Sequence, residues 1–321
     1  MRALICDDYT GIDGLRVGDL PSPERGEGQL LIDVASVAVN FADTLMVTGQ
    51  YQIRPEPPFA PGYELAGTVV EGVEDFSPGD RVCGFTWHGG MAEHALVDSD
   101  HAARLPDDID FDSGAVLPAT YGTSYHALVD RAELQPDETL LVLGAAGGVG
   151  LAAVQVGKAI GATVLAAVSS EEKADLVRSA GADQVIRYDE EGLRDGIAVA
   201  TGDTGVDVVY DPVGGDMTES ALRSTRWNGR LLVIGFASGP IPKIPLNIPL
   251  LKGASIVGVF WGRFTNEEPE RARENLEQIM AWASSGKIKP MITRSFPLDE
   301  GKDALRLVAD RLALGRVVIN P

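Results

Sequence analysis

Only two cysteines, Cys6 and Cys83, occur in 321 residues. That excludes a disulfide framework and any cysteine cluster able to hold a metal. Histidine is also scarce: His88, His94, His101 and His126 fall at no metal-ligand spacing. No apolar run is long enough to span a bilayer, so a membrane is not an expected partner. Lysine is absent before Lys158, and 27 Lys and Arg face 47 Asp and Glu, for a formal net charge of −20. A surface of that sign repels nucleic acid and anionic lipid. The opening Met1-Arg2-Ala3-Leu4-Ile5-Cys6 runs at once into Asp7 and Asp8, which predicts no secretory leader. The expectation is a cytoplasmic protein.

What is present is a globular composition, 45% hydrophobic and 23% charged. The length exceeds one ordinary core and suits two domains. From Met1 to about Tyr121 the chain reads as short strands and turns, with strands at Leu30–Val34, Ala66–Glu71 and Val82–Phe85. From Gly122 it alternates strand and helix. Thr139–Gly144, Thr163–Val168, Val206–Tyr210 and Leu231–Ile234 are core strands. Val149, Ala153, Val156 and Ile160 form one apolar helix face that Gly161 ends, and Ser170 caps a helix over Glu171–Ala180. That alternation predicts a doubly wound parallel sheet. After about Phe260 two helical patterns begin near Pro269 and Asp299, and a strand closes the chain at Arg316–Ile319. The predicted architecture is α/β: a β-rich domain (1–121 and 261–321) interrupted by a nucleotide-type domain (122–260).

The strongest chemical signal is Leu140-Leu141-Val142-Leu143-Gly144-Ala145-Ala146-Gly147-Gly148-Val149-Gly150. A strand enters a glycine turn and then an amphipathic helix. Glycines admit a pyrophosphate to the backbone, and the helix start offers free N–H groups and a positive dipole end. Ala146, Gly147, Gly148 and Val149 are therefore candidate cofactor contacts. The next strand ends in Ser169-Ser170 with Lys173 beyond, side chains suited to a ribose 2′-phosphate. The acids Glu171 and Glu172 come directly after, and leave contact with a ribose 2′-hydroxyl open.

At this point the chain resembles the zinc-free quinone oxidoreductases of the medium-chain dehydrogenase/reductase superfamily. The resemblance rests on the glycine loop and on Val39-Asn40-Phe41-Ala42-Asp43, Pro61-Gly62-Tyr63-Glu64-Leu65-Ala66-Gly67, Gly79-Asp80-Arg81-Val82, Gly90-Met91-Ala92-Glu93 and Asp207–Gly215. It covers essentially the whole chain. It implies a GroES-like catalytic domain with a Rossmann nucleotide domain, NADPH as cofactor, and reduction of a small quinone or enone substrate. Zinc-dependent relatives carry Cys near Asn40 and His at Tyr63; without both, a tetrahedral site cannot be assembled. The resemblance sets Asn40 and Tyr51 at the reacting centre as donors to the substrate oxygen. A second aromatic that family members often carry is Leu45 in this chain. It also gives Thr123 to the nicotinamide side, and Tyr188 and Arg311 to the adenosine phosphates. It further implies a homodimer, for which the apolar run Ser255–Phe260 is a candidate edge. Two other readings stay open. One is reduction of α,β-unsaturated aldehydes, ketones or acyl thioesters; the other is a non-catalytic nucleotide-binding role.

Overall fold

Strands that are buried on both faces must be apolar throughout, and parallel strands need helical crossovers to return the chain. The segment from Thr139 onward meets both conditions. The computed structural model describes residues 1–73 and 75–321. It divides into two units, Met1–Ala119 with Thr265–Ser285 and Pro290–Pro321, and Thr120–Phe264 with Gly286–Lys289.

The second unit holds a six-stranded parallel sheet in the order Gln184–Arg187, Thr163–Val168, Thr139–Val142, Val206–Asp211, Thr225–Val233, Ser255–Gly258. Leu140, Leu141, Val142, Val164, Val208, Val209, Leu231 and Leu232 have no exposure at all. The strand order reverses between Thr139–Val142 and Val206–Asp211, and a ligand crevice forms at the carboxyl ends of the strands at such a point. The glycine turn leaves the first of these strands. The Gly148–Ile160 helix comes after it and ends at Gly161, whose φ of 108° suits a residue without Cβ. Ser170 caps the Glu171–Ser179 helix, its hydroxyl accepting from the Lys173 N–H at 3.3 Å.

The first unit carries a seven-stranded sheet in the order Ile292–Pro297, Arg316–Asn320, Gln29–Ala38, Glu64–Glu71, Arg81–Phe85, Ala102–Arg104, with His94–Asp98 also pairing Gln29–Ala38. The last strand of the chain lies antiparallel to the first long one, with Val318 opposite Ala38, and the Val39 N–H donates to the Val317 carbonyl at 2.9 Å. Leu4, Leu30, Ile32, Val37, Leu65, Val82, Met91 and Ile319 fill its core.

Some strands exceed the sequence reading. Gln29–Ala38 runs past Val34, and Thr225–Val233 begins before Leu231, its early part carrying exposed Trp227 and Asn228 that no apolar pattern marks. The expected helix near Asp299 starts at Gly301, after a 3₁₀ turn at Leu298–Glu300. Residues 286–289 join the nucleotide unit because the Gln155 amide both donates to the Lys289 carbonyl and accepts its N–H, each at 2.8 Å. Among the described residues no helix is long and apolar enough to cross a membrane.

Gly150 is where the glycine helix comes closest to its own turn. A Cβ there would stand 2.3 Å from the Gly144 oxygen and 2.8 Å from the Ala145 Cα. Both are backbone and cannot swing away. Gly150→Ala is expected to destabilise the protein by about 1–3 kcal/mol, read as a lowered Tm in thermal denaturation. An unchanged Tm would show that the turn yields without cost.

Candidate active site

In the nucleotide unit the glycine turn presents Gly147 to solvent, with Gly148 and Val149 half-buried behind it and Ala146 buried. Gly147 stands just before the first helical residue, so the next N–H groups along the chain lack intrahelical acceptors. Thr123 is half-buried on the Gly122–Tyr125 helix. Its neighbour Ser124 fixes that helix to the glycine helix: the hydroxyl donates to the Val149 carbonyl at 3.0 Å and lies 3.0 Å from the Tyr210 hydroxyl. Thr123 and Val149 are thereby held within one constellation. Asp211 shapes the adjoining turn, its carboxylate accepting from the Val213 and Gly214 N–H groups at 2.9 Å and from the Thr218 hydroxyl at 2.6 Å.

At the end of Thr163–Val168 the Lys173 ammonium donates to the Ser169 hydroxyl at 3.2 Å. Among the described residues Lys173 has no carboxylate partner. Tyr188 stands on the adjacent strand's exit, its N–H donating to the Val168 carbonyl at 3.2 Å. Glu171, which the sequence leaves free to reach a ribose, is instead gripped by Arg178 and Arg187, each at 2.7 Å. Those two cations hold its carboxyl below the usual range, Arg178 foremost. Arg311 belongs to the other unit, two residues past the Gly301–Ala309 helix, with a φ of 60°.

The first unit gathers a cluster of charged and polar side chains that are almost wholly buried. Asn40 precedes the Phe41–Met46 helix, and its backbone N–H donates to the Asp43 carboxylate at 2.8 Å. The other Asp43 oxygen accepts from the Gly62 N–H at 2.9 Å. Gly62 has a φ of 94°, and a Cβ there would meet the Met91 nitrogen at 2.8 Å, so only glycine passes. Glu64 accepts from the Asn40 amide at 2.9 Å, from the Arg316 guanidinium at 2.7 Å and from the Ala119 N–H at 3.0 Å. Arg316 also donates to the Asn40 amide oxygen at 3.0 Å.

This geometry bears on one expectation. The Asn40 amide hydrogens face Glu64 and, at 3.4 Å, the Ala38 carbonyl. An amide has two such hydrogens, so both Asn40 donors face acceptors inside the protein in this arrangement. Tyr51 differs: it packs half-buried against the core, and burial, with the nearby Asp43 charge, pushes its phenol up. It stays protonated at neutral pH. Sequence reasoning passed over Asp43, Glu64 and Arg316 as participants. The available signal was charge at the rim of apolar strands, Glu64 opening Glu64–Glu71 and Arg316 opening Arg316–Asn320.

A parallel nucleotide sheet with a glycine turn, together with a β-rich unit into which it is inserted, defines a dehydrogenase-type architecture. Residues 26–107 match the family described as alcohol dehydrogenase GroES-like domain, and 148–281 that described as zinc-binding dehydrogenase. The quinone oxidoreductase-like protein 2 homolog of Nematostella vectensis is 39% identical, over 99% of this chain and 88% of that protein. The rat quinone oxidoreductase-like protein 2 is 36% identical over 99% and 92%. Among solved structures, the Escherichia coli quinone oxidoreductase complexed with NADPH has a TM-score of 0.92 at 29% identity, covering both chains fully. A mycobacterial protein complexed with NADPH gives 0.93 at 31%, again over both full chains. The chain belongs to the quinone oxidoreductase family of the medium-chain dehydrogenases/reductases.

The zinc in the second family's description does not fit these residues. Positions 40 and 63 offer an amide and a phenol, and the Glu64 carboxylate already receives the Arg316 cation. Among the described residues no three His, Cys, Asp or Glu are grouped to hold a metal ion.

Burial pushes the Asp43 carboxyl up to about 7, Glu64 adds to the rise, and the N–H groups of Asn40 and Gly62, with Arg316, restrain it. In the unfolded chain it returns to about 3.9. Unfolding therefore releases a proton between about pH 4 and 7, and the stability linked to this group falls as pH rises through that window. The margin by which the wild type exceeds Asp43→Asn in urea denaturation should narrow from pH 5 to pH 8. A margin that widens would put the Asp43 proton elsewhere.

Proposed function

We propose that this protein is an NADPH-dependent, metal-independent oxidoreductase acting on a quinone or a related conjugated carbonyl. The observation that carries the reading is the end of the second nucleotide strand. Lys173 and Ser169 lie together there with Tyr188 near, while Glu171 is taken by Arg178 and Arg187. That is a surrounding for a 2′-phosphate. Ala146, Gly147, Gly148 and Val149 would hold the pyrophosphate, Thr123 the nicotinamide side and Arg311 the adenosine phosphate.

NADPH supplies the hydride when bound. The protein's part is placement and the stabilisation of charge. As electrons reach the acceptor oxygen, a donor already aimed at it lowers the barrier. Tyr51 fills that role through a phenol that stays neutral. Asn40 supports it from below, as part of the buried cluster.

The charge distribution favours a neutral acceptor over an acyl thioester of a phosphorylated carrier. The first unit holds 30 Asp and Glu against 13 Lys and Arg, a net −17; the nucleotide unit holds 17 against 14, a net −3. A polyphosphate tail would meet that net negative field. A cytoplasmic location accords with the few cysteines. The third reading, a non-catalytic nucleotide binder, fails if NADPH is consumed.

NADPH and NADH oxidation over a panel of quinones and enones, with and without a chelator, tests the reading. NADPH should be preferred, with turnover unaffected by chelation. Lys173→Ala should weaken NADPH binding by about 1.5–3 kcal/mol and spare NADH. Tyr51→Phe should lower kcat on the order of 10²–10³-fold with NADPH affinity kept. Full turnover by Tyr51→Phe on every accepted substrate would make Tyr51 a rim residue, and an NADH preference would remove the 2′-phosphate assignment.

A homodimer formed through Ser255–Gly258 belongs to the same proposal. That strand ends the six-stranded sheet, its outer edge unpaired among the described residues, and Ile256, Phe260, Trp227, Leu246 and Leu250 are exposed in the same unit. Isologous pairing would continue the sheet across a two-fold axis. Light scattering at micromolar concentration should give twice the chain mass; a monomer would contradict it.

A further inference from the structure

The buried cluster is more elaborate than the stability of one helix start requires. Glu64 has no exposure, and Asn40 and Arg316 have 5% each. A buried ion pair is weak evidence for stability, because desolvation offsets the attraction. Its geometry carries more information. Arginine commonly grips a carboxylate with two nitrogens. Arg316 instead uses one, Nη2, for both Glu64 Oε1 and Asn40 Oδ1, while its buried Nε has no partner. A fold-stapling arginine would use its fork. This one bridges a carboxylate and an amide so that the amide cannot turn.

With the Asn40 amide fixed, the next segment of chain is fixed too. The Asn40 N–H holds Asp43, and Asp43 holds Gly62, the residue before Tyr63. The helix that Asn40 begins ends at Met46, and the N–H groups of Gly49 and Gln50 return to the Met46 and Leu45 carbonyls at 2.9 Å. Tyr51 is the next residue. Hydrogen bonds thus run from the last strand through the buried cluster and an open turn to the backbone next to Tyr51, whose ring packs against the same core.

We propose that Glu64 and Arg316 are positioning residues for the reduction: together they lock Asn40 and its helix so that Tyr51 meets the acceptor oxygen, and they cancel each other's charge beneath it. This role rests on the reductase reading above. Arg316 loss would leave Glu64 buried and uncompensated. A carboxylate there without its cation repels the negative charge growing on the acceptor, and the Asn40 amide oxygen loses the donor that helps hold it. Since one nitrogen makes both contacts, lysine can replace arginine in them.

The test compares wild type, R316K, R316M and the double variant E64Q/R316M in NADPH-driven reduction of a neutral quinone, well below each variant's Tm. R316M should lose kcat by about tenfold to a hundredfold, the scale of a small misplacement of a reacting group, with KM for the quinone kept. R316K should recover most of it. The double variant carries no buried charge from the pair, so it folds even where R316M does not; it should keep wild-type-like Tm but remain at least about tenfold down in kcat, lacking the clamp on Asn40. Wild-type kcat in folded R316M or in the double variant, or an R316K no better than R316M, overturns the proposal. A wild type inert toward the whole panel overturns the reductase reading itself, a result distinct from these.

Discussion

Two carboxylates with no exposure, Asp43 and Glu64, stand within one cluster whose cation is Arg316. Charge in a protein interior must be paired or discharged. Here Glu64 is paired with Arg316, and burial pushes the Asp43 carboxyl up to about 7, against the pull of its two N–H donors. Every backbone segment around the candidate site answers to that balance. The three contributions come from the first turn of the Phe41–Met46 helix, the first residue of Glu64–Glu71 and the first residue of Arg316–Asn320. They meet only because the last strand of the chain pairs the first long one. The C-terminal strand therefore supplies the cation of the buried cluster as well as closing the sheet.

The nucleotide unit solves a different electrostatic problem. Its cofactor would be strongly anionic, and the chain as a whole is acidic. The acidity is placed mainly in the other unit, and the nucleotide unit is close to balanced. At the strand end the balance is finer still. Arg178 and Arg187 draw the Glu171 carboxylate into a network that also holds Asp175, Asp189 and Glu190, which turns that acid away from Lys173 without cancelling the local negative charge. An acid next to a phosphate site need not weaken it when its own partners are within reach. The polar groups that matter are those left over after the local ion pairs are closed.

Much of this was legible in the sequence where one local pattern decides the structure. The glycine turn, its helix to Gly161, the Ser170 cap and the core strands of the nucleotide sheet all come from apolar periodicity and turn chemistry. The beginning of Thr225–Val233 was not, since exposed Trp227 and Asn228 fall in an irregularity between the paired residues Thr225 and Arg230. The buried cluster was not legible either. Asn40, Glu64 and Arg316 are 24 and 252 residues apart in turn, and no local pattern joins them. A polar residue in a family motif reads as a substrate donor until its partners are seen. Burial is a property of the assembled sheet.

The closed inventory at Asn40 narrows the chemistry as well as the residue roles. With that amide's hydrogens committed, the phenol of Tyr51 becomes the side chain to which the proposed donor role falls. Burial and the Asp43 charge both disfavour its phenolate. A group whose ionised form is disfavoured keeps its proton, so it remains available as a hydrogen-bond donor but gives that proton up poorly. Tyr51 is thus suited to steady a growing oxyanion and ill suited to protonate it completely. Quinols and enolates take protons readily from water, so the reaction needs no stronger acid at this position. The same burial that makes Tyr51 a weak acid keeps it a neutral donor across the physiological range, which is the property that charge stabilisation requires.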